Sequence, residues 1–112
     1  MSDTTPSTTP PTPVWDADMV YHVLADVSRR RLLLSLAAHP LQTATALHVA
    51  IGRKLDATLK HLVALRAAGL VETEENPQDG RRLLYRLGTK VVVRQTETGR
   101  EIDFGFVLVR LG

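Results

Sequence analysis

The chain has 112 residues, 44% hydrophobic and 23% charged, so one compact domain with a single core is expected and two full domains are excluded. Fourteen Lys and Arg against twelve Asp and Glu give a net charge of only +2, so the placement of the basic residues matters more than their number. The chain has no cysteine, which excludes disulfides, thiolate metal sites and cysteine nucleophiles and agrees with a cytoplasmic protein.

Residues 1–13 are expected to form a disordered tail that precedes the folded domain. They contain four prolines and almost nothing to bury, and they lack the basic and apolar regions of a secretion signal. The longest nearly apolar stretches, residues 32–36 and 104–109, are far shorter than the about 18 to 20 residues of a membrane span, so no membrane partner is expected. The folded domain should begin near residue 14.

A first helix is predicted directly after the tail. Asp16 and Asp18 suit the positive end of its macrodipole. Apolar residues recur there every four positions and should line its buried face: Trp15, Met19, Val23 and Val27.

A second helix should begin with Ser28 as its cap and end before Pro40. Three leucines point inward in this prediction: Leu32, Leu33 and Leu36. The first turn carries three arginines, residues 29–31, which oppose the helix macrodipole. They need either a carboxylate partner such as Asp26 or an external polyanion.

A third, short helix is predicted from its cap Thr43 to about Ile51, with Gly52 as its end. A fourth begins within residues 53–56 and runs to Ala68, because leucines recur at intervals of three and four: Leu55, Leu59, Leu62 and Leu65. Its opposite face and flanks carry small residues and long donors: Arg53, Lys54, Ala57, Lys60, His61 and Ala64. The tight turn between the two helices favours a helix-turn-helix.

After the fourth helix the period of the pattern changes to two. Residues 71–73 lead into the loop at residues 74–80, and alternating apolar residues return over residues 83–87, which predicts a β-hairpin. Four helices followed by a hairpin are the order of a winged helix domain of the α+β class, expected over residues 14–88.

Residues 89–112 are predicted to add a second β-hairpin. Residues 91–93 and 102–109 are β-branched and aromatic, and residues 96–99 supply a turn between them. This hairpin either extends the sheet of the wing or pairs across a two-fold axis to form a dimer interface. The apolar run at residues 104–109 should be covered, because an exposed edge of this kind promotes aggregation.

Three segments resemble arsenic-repressor-like (ArsR-type) winged helix regulators. Residues 24–34 (LADVSRRRLLL) resemble the opening of their second helix, residues 57–71 (ATLKHLVALRAAGLV) their recognition helix, and residues 80–87 (GRRLLYRL) the returning strand of their wing. The resemblance covers roughly residues 15–88. Two positions depart from it, since Leu55 and Leu59 stand where Gln and Ser are common.

The resemblance implies a dimeric transcription regulator that reads double-stranded DNA with its fourth helix and contacts the flanking backbone with the wing, residues 72–87. Residues 29–70 hold seven Arg and Lys and one acid, a net charge of +6 in a chain of +2, which a polyanion-binding surface requires. The residues expected to contact DNA are Arg53, Lys54, Asp56, Ala57, Lys60, His61, Arg81 and Arg82.

The wing arginines have an alternative role within the protein. Acidic residues on the outgoing strand would repel phosphates unless they pair across the hairpin with the basic residues of the returning one. The acids are Glu72, Glu74 and Glu75, and the basic residues are Arg81, Arg82 and Arg86.

Catalysis and metal sensing find no support in the sequence. No phosphate-binding loop, nucleophile elbow or zinc-protease motif is present, which predicts a non-enzyme without a cofactor. Four histidines have no credible ligand spacing, so no metal is expected: His22, His39, His48 and His61. Two alternatives stay open, namely a winged helix that binds a protein instead of DNA, and a regulator that responds to an effector the sequence does not identify.

Overall fold

The computed structural model describes residues 15–110, so the predicted tail at residues 1–13 and the domain start near residue 14 lie outside the described residues. Four helices and five strands follow one another in this part of the chain: α1 (Ala17–Leu24), α2 (Val27–Ala38), α3 (Ala44–Ile51), α4 (Leu55–Ala67), β1 (Val71–Glu74), β2 (Leu84–Leu87), β3 (Val92–Thr96), β4 (Gly99–Asp103) and β5 (Leu108–Arg110). The predicted winged helix class is confirmed.

Aspartates cap the first two helices. Asp16 Oδ1 accepts a hydrogen bond from the backbone N–H of Met19 at 3.1 Å. Asp26 Oδ1 accepts from the N–H groups of Ser28 at 2.7 Å and Arg29 at 3.2 Å. The prediction that Ser28 caps α2 is therefore wrong, because the Asp26 carboxylate is already in place two residues earlier and Ser28 lies inside the helix.

The buried face of α1 also differs from the prediction. Val20, Val23 and Leu24 face the core, whereas Met19 is exposed. The predicted four-residue stripe included Trp15 and Val27, but α1 is only eight residues long and neither residue lies on it.

The helix-turn-helix forms as predicted. Thr43 Oγ1 caps α3 by accepting from the N–H of Ala46 at 3.2 Å, and Gly52 ends the helix with φ of 71°, a conformation that favours glycine. In α4 the buried residues are Thr58, Leu62 and Leu65. Thr58 can be buried because its hydroxyl donates to the carbonyl oxygen of Lys54 at 2.9 Å.

One core joins the helices, the wing and the strands that follow it. Its buried apolar residues are Val20, Val23, Leu24, Leu32, Leu33, Leu36, Leu47, Ile51, Leu62, Leu65, Leu70, Val71, Tyr85, Ile102 and Phe104. The inward orientation predicted for the three leucines of α2 is confirmed.

The wing is the antiparallel pair β1–β2, with Val71 opposite Leu87 and Thr73 opposite Tyr85. Gln42, just before α3, adds a bridge to it: its N–H donates to the Tyr85 carbonyl at 3.1 Å, and the Tyr85 N–H donates to the Gln42 carbonyl at 2.7 Å. At the base of the wing the N–H of Gly88 donates to the carbonyl of Leu70 at 2.9 Å.

The C-terminal hairpin predicted for residues 89–112 is in fact a three-stranded antiparallel sheet, β3–β4–β5, over its described residues. Gly105, with φ of 91° and its N–H bonded to Asp103 Oδ1 at 2.8 Å, turns the chain and divides the expected long strand in two. This sheet is separate from the wing sheet, so the idea that it extends the wing is wrong.

The C-terminal sheet is attached to the helices through its buried side chains. Ile102 and Phe104 enter the core, and the ring of Phe104 meets that of Trp15 edge to face at 5.3 Å. Leu108 on β5 remains exposed, so the expected covering of residues 104–109 is only partial.

Candidate nucleic-acid interface

The N-terminal half of α4 presents three of the predicted charged residues to solvent. Lys54 precedes the first turn of the helix, and Lys60 follows about one and a half turns later. Asp56 lies between them, and its Oδ1 accepts from the N–H of Ala57 at 2.9 Å. All three side chains are exposed and are free to meet a partner that approaches this face.

The side of α4 that faces α2 is more enclosed. Ala57 and His61 are half-buried, although both were expected to face a DNA groove. His61 Nε2 lies 3.9 Å from Asp26 Oδ1. Burial raises the pKa of the Asp26 carboxyl, but hydrogen bonds from the backbone of Arg29 and Ser28 and the nearby charges of His61 and Arg29 outweigh it, so the pKa lies below its usual value.

Basic residues surround the junction of α2 and α4. Arg53 Nε donates to Ser28 Oγ at 3.1 Å, which holds the guanidinium against the first turn of α2. Arg30 donates to the Leu24 carbonyl at 2.6 Å. No described carboxylate forms an ion pair with residues 29–31, so the carboxylate partner considered for these arginines is not formed.

The wing tip carries the two other predicted basic residues. The Arg81 and Arg82 side chains are exposed, and each Nε lies 3.6 Å from an oxygen of Asp79. Ion pairs this exposed contribute little to stability, so both guanidinium groups can exchange Asp79 for another anion.

Pairing across the wing involves a different arginine. Arg86 contacts Glu72 at 3.0 Å and Glu74 at 2.9 Å, so its single positive charge offsets half of the negative charge of these two carboxylates on β1. The N–H of Thr89 donates to Glu72 at 3.0 Å, and this hydrogen bond, the Thr89 hydroxyl and Arg86 lower the pKa of the Glu72 carboxyl. The proposed cross-hairpin pairing therefore holds for Arg86, whereas Arg81 and Arg82 pair within the loop.

A cleft of about 330 Å³ separates α4 from the wing. Its lining residues come from the start of α3, from α4 and from the wing: Thr43, Ala44, Thr45, Leu55, Leu59, Arg81, Arg82, Leu83 and Tyr85. The cleft thus has an apolar floor and a basic rim on the wing side.

Three apolar residues of α4 are exposed, which the sequence pattern does not indicate. Leu55 is 40% exposed, Leu59 38% and Val63 65%, and we call these three residues the apolar stripe. The leucine spacing groups Leu55 and Leu59 with Leu62 and Leu65, but the buried residues of α4 are Thr58, Leu62 and Leu65. The spacing alone gave no sign of this, since a buried threonine looks like a surface residue in the sequence.

Two general features of the described residues bear on the choice of function. No group of three or more His, Asp and Glu side chains in residues 15–110 is placed to hold a metal ion. No helix in this part of the chain is long and apolar enough to cross a membrane.

Comparisons with known proteins support the fold through structure rather than sequence. No family model and no curated protein matches the sequence. A mutant of MarR from Escherichia coli, crystallised with operator DNA, is 25% identical with a TM-score of 0.55, and the match covers 64% of this chain and 54% of that one. A second MarR-family transcription regulator is 29% identical with a TM-score of 0.55, covering 65% of this chain and 50% of that one.

A third structure is similar in fold alone. The PcaV transcriptional regulator from Streptomyces coelicolor is 20% identical with a TM-score of 0.54, and the match covers 63% of this chain and 62% of that one. The chain therefore spans about half to three-fifths of the length of the regulators that it matches. Of these three neighbours, one is MarR and another is a MarR-family transcription regulator, and none is described as an ArsR-type protein.

Proposed function

We propose that this protein is a non-catalytic, DNA-binding transcription regulator. The observation that carries the proposal is the basic surface around the exposed face of α4, with Lys54 and Lys60 on the helix and Arg81 and Arg82 on the wing. A helix that carries and is flanked by basic residues suits the major groove of DNA, because phosphates lie on either side of a helix inserted there. The MarR structure with operator DNA supports this choice.

Each residue has a specific role in the proposal. Lys54 and Lys60 donate to guanine O6 and N7 or to phosphate, and Asp56 accepts from cytosine N4. Arg81 and Arg82 meet the backbone or enter the minor groove. The remaining three are closer to the α2 junction, where Arg53 contacts phosphate, His61 contacts a base or the backbone and Ala57 touches a thymine methyl.

Fluorescence anisotropy of labelled duplex DNA tests the proposal. Affinity should fall by at least about tenfold between 50 and 200 mM salt, because binding releases counterions from the phosphates. The double variant Lys54→Ala/Lys60→Ala should bind at least about tenfold more weakly, with a salt slope shallower by about 1 for each phosphate that the variant no longer neutralises.

Lys90→Ala is the matched control, since Lys90 is an exposed lysine in the turn before β3 and belongs neither to α4 nor to the wing. It should leave both the affinity and the salt slope close to those of the unmodified protein. Absence of binding to duplex DNA at low salt would contradict the proposal. It would favour the alternative of a winged helix that binds a protein, for which the exposed apolar stripe is the specific argument.

We also propose that the protein acts as a homodimer, formed through the C-terminal sheet. Its outer strands, β3 and β5, have no further partner among residues 15–110, and Val92, Val93 and Leu108 are exposed on them. Two copies offer each other the same open edge, and a two-fold axis would set two α4 helices on two DNA half-sites.

The narrower assignment to the ArsR type rests on the motifs of residues 24–34 and 57–71. A cytoplasmic location is proposed because the protein has to reach DNA.

Sedimentation equilibrium should accordingly give a mass near twice the 12.4 kDa of one chain. Val93→Lys should weaken the association, because a lysine on an edge strand opposes strand pairing. Val49→Lys, at an exposed position of α3, is the control and should leave the mass unchanged. A single-chain mass at all concentrations would contradict the dimer.

A further inference from the structure

The exposed side of α4 carries large apolar residues beside its charged ones. Leu55, Leu59 and Val63 succeed one another at intervals of four residues, so the apolar stripe runs along the helix with a drift of about 40° per step. Lys60 lies beside the stripe on the same exposed face. The exposed side of α4 therefore offers an apolar surface next to the groups that can form hydrogen bonds with bases.

Packing within the described chain does not account for the stripe. Leu55 and Leu59 border the cleft beside the wing, and that cleft of about 330 Å³ is not filled by the neighbouring Leu83 and Tyr85. Val63 is 65% exposed, although α4 has fully buried apolar positions elsewhere. Three apolar side chains thus remain available to a partner.

The charges on both flanks indicate what that partner is. Arg81 and Arg82 border the stripe on the wing side. Arg53 lies on the other side, at the junction of α4 with α2, where it bonds to Ser28. A ridge between two basic borders complements a groove between two phosphate backbones. The major groove has one strongly apolar feature, the C5-methyl group of thymine.

We propose that the apolar stripe reads thymine methyl groups, so that apolar contact adds a sequence preference to that of the polar contacts. The inference rests on the proposed function, because it assumes that α4 enters the major groove. Leu59 is the central residue of the stripe, with Leu55 and Val63 extending the contact along the groove. Lys54 and Lys60 then bind guanine or phosphate, and the stripe adds a preference for thymine.

The test removes the methyl group without changing base pairing. Duplexes that the protein selects from a randomised pool are resynthesised with deoxyuridine in place of thymidine, which keeps the O4 acceptor and loses only the C5-methyl group. Affinity should fall by about fourfold for each methyl group that is contacted, the ratio expected for burying one methyl-sized apolar group. This arm uses the unmodified protein, so no variant has to fold.

Variants assign the effect to the stripe. In Leu59→Ala the ratio of thymine to uracil affinities should shrink toward one. Leu34→Ala, on α2, is the matched control because Leu34 is 37% exposed against 38% for Leu59, and it should keep the ratio. Lys54→Ala/Lys60→Ala should weaken binding to both duplexes alike and also keep the ratio.

The outcomes separate the two proposals. Equal affinity for the thymine and uracil duplexes, with salt-dependent binding retained, overturns only the role of the stripe. A thymine preference that persists unchanged in Leu59→Ala overturns it as well, because the methyl effect would then act through DNA shape. Failure to bind either duplex at low salt overturns the proposed function and this inference together.

Discussion

Replacing Ile102 by Ala is expected to lower the free energy of unfolding by about 2–5 kcal/mol, the range found when a large buried aliphatic side chain is truncated. Ile102 lies on β4, yet it is completely buried in the same core as the leucines of α2 and α4. Loss of its side chain would leave a cavity at the point where the C-terminal sheet meets the helices. Urea unfolding measures the change.

Val49→Ala is the control, because Val49 lies on α3 and is 70% exposed. It should cost less than about 1 kcal/mol. Trp15, which contacts Phe104, reports on the docking of the sheet by fluorescence, while circular dichroism reports on the helices. Coincident transitions would mean that the sheet and helices unfold as one domain, and an earlier fluorescence transition would contradict this.

Gly88→Ala is expected to destabilise the protein by about 2–3 kcal/mol, the upper part of the range for overpacking. A Cβ atom at Gly88 would overlap the carbonyl oxygen of Gly69 and lie 3.3 Å from its carbonyl carbon. The clash is with backbone, which cannot rotate away as a side chain can. The N–H of Gly88 is also bonded to the Leu70 carbonyl, so moving this segment breaks a hydrogen bond at the base of the wing.

Variants at two other glycines distinguish the steric clash at Gly88 from backbone strain. Gly80→Ala should change stability by less than about 0.5 kcal/mol, because a Cβ there meets nothing within 4 Å. Gly52→Ala also meets nothing within 4 Å but has φ of 71°, so a cost of about 1 kcal/mol from backbone strain is expected. Thermal or urea unfolding of the three variants gives the comparison, and equal losses in all three would contradict the steric explanation.

The order of elements was predictable because local signals agreed with one another. Thr43 and Gly52 mark the ends of α3 by cap chemistry that operates within a few residues. The C-terminal part was harder, since dividing the apolar run between β4 and β5 depends on one glycine, Gly105, and on its bond to Asp103. The cap of α2 was also hard to predict, because Asp26 and Ser28 are both suitable cap residues and only the structure shows that the Asp26 carboxylate accepts the N–H bonds of the first turn.

The candidate site was predictable in its charge and less so in its orientation. The exposed positions of Lys54 and Lys60 agree with the sequence pattern. The rotation of α4 does not follow from the leucine spacing, because it depends on a threonine, Thr58, whose burial becomes acceptable only after its hydroxyl has bonded to a backbone carbonyl. Leu55 and Leu59 remain partly exposed beside the wing cleft.

The residue that joins the wing to the helices has a consequence for the thermodynamics of binding. Gln42 bonds to the backbone of Tyr85 in both directions, and its side-chain amide donates to Ser35 and to the His39 carbonyl at the end of α2. These bonds join the end of α2, the start of α3 and β2 at one point, so we expect them to restrict movement of the wing relative to the helix-turn-helix. We therefore expect the protein to lose little conformational entropy when it binds DNA, because the spacing between α4 and the wing is already set in the free protein.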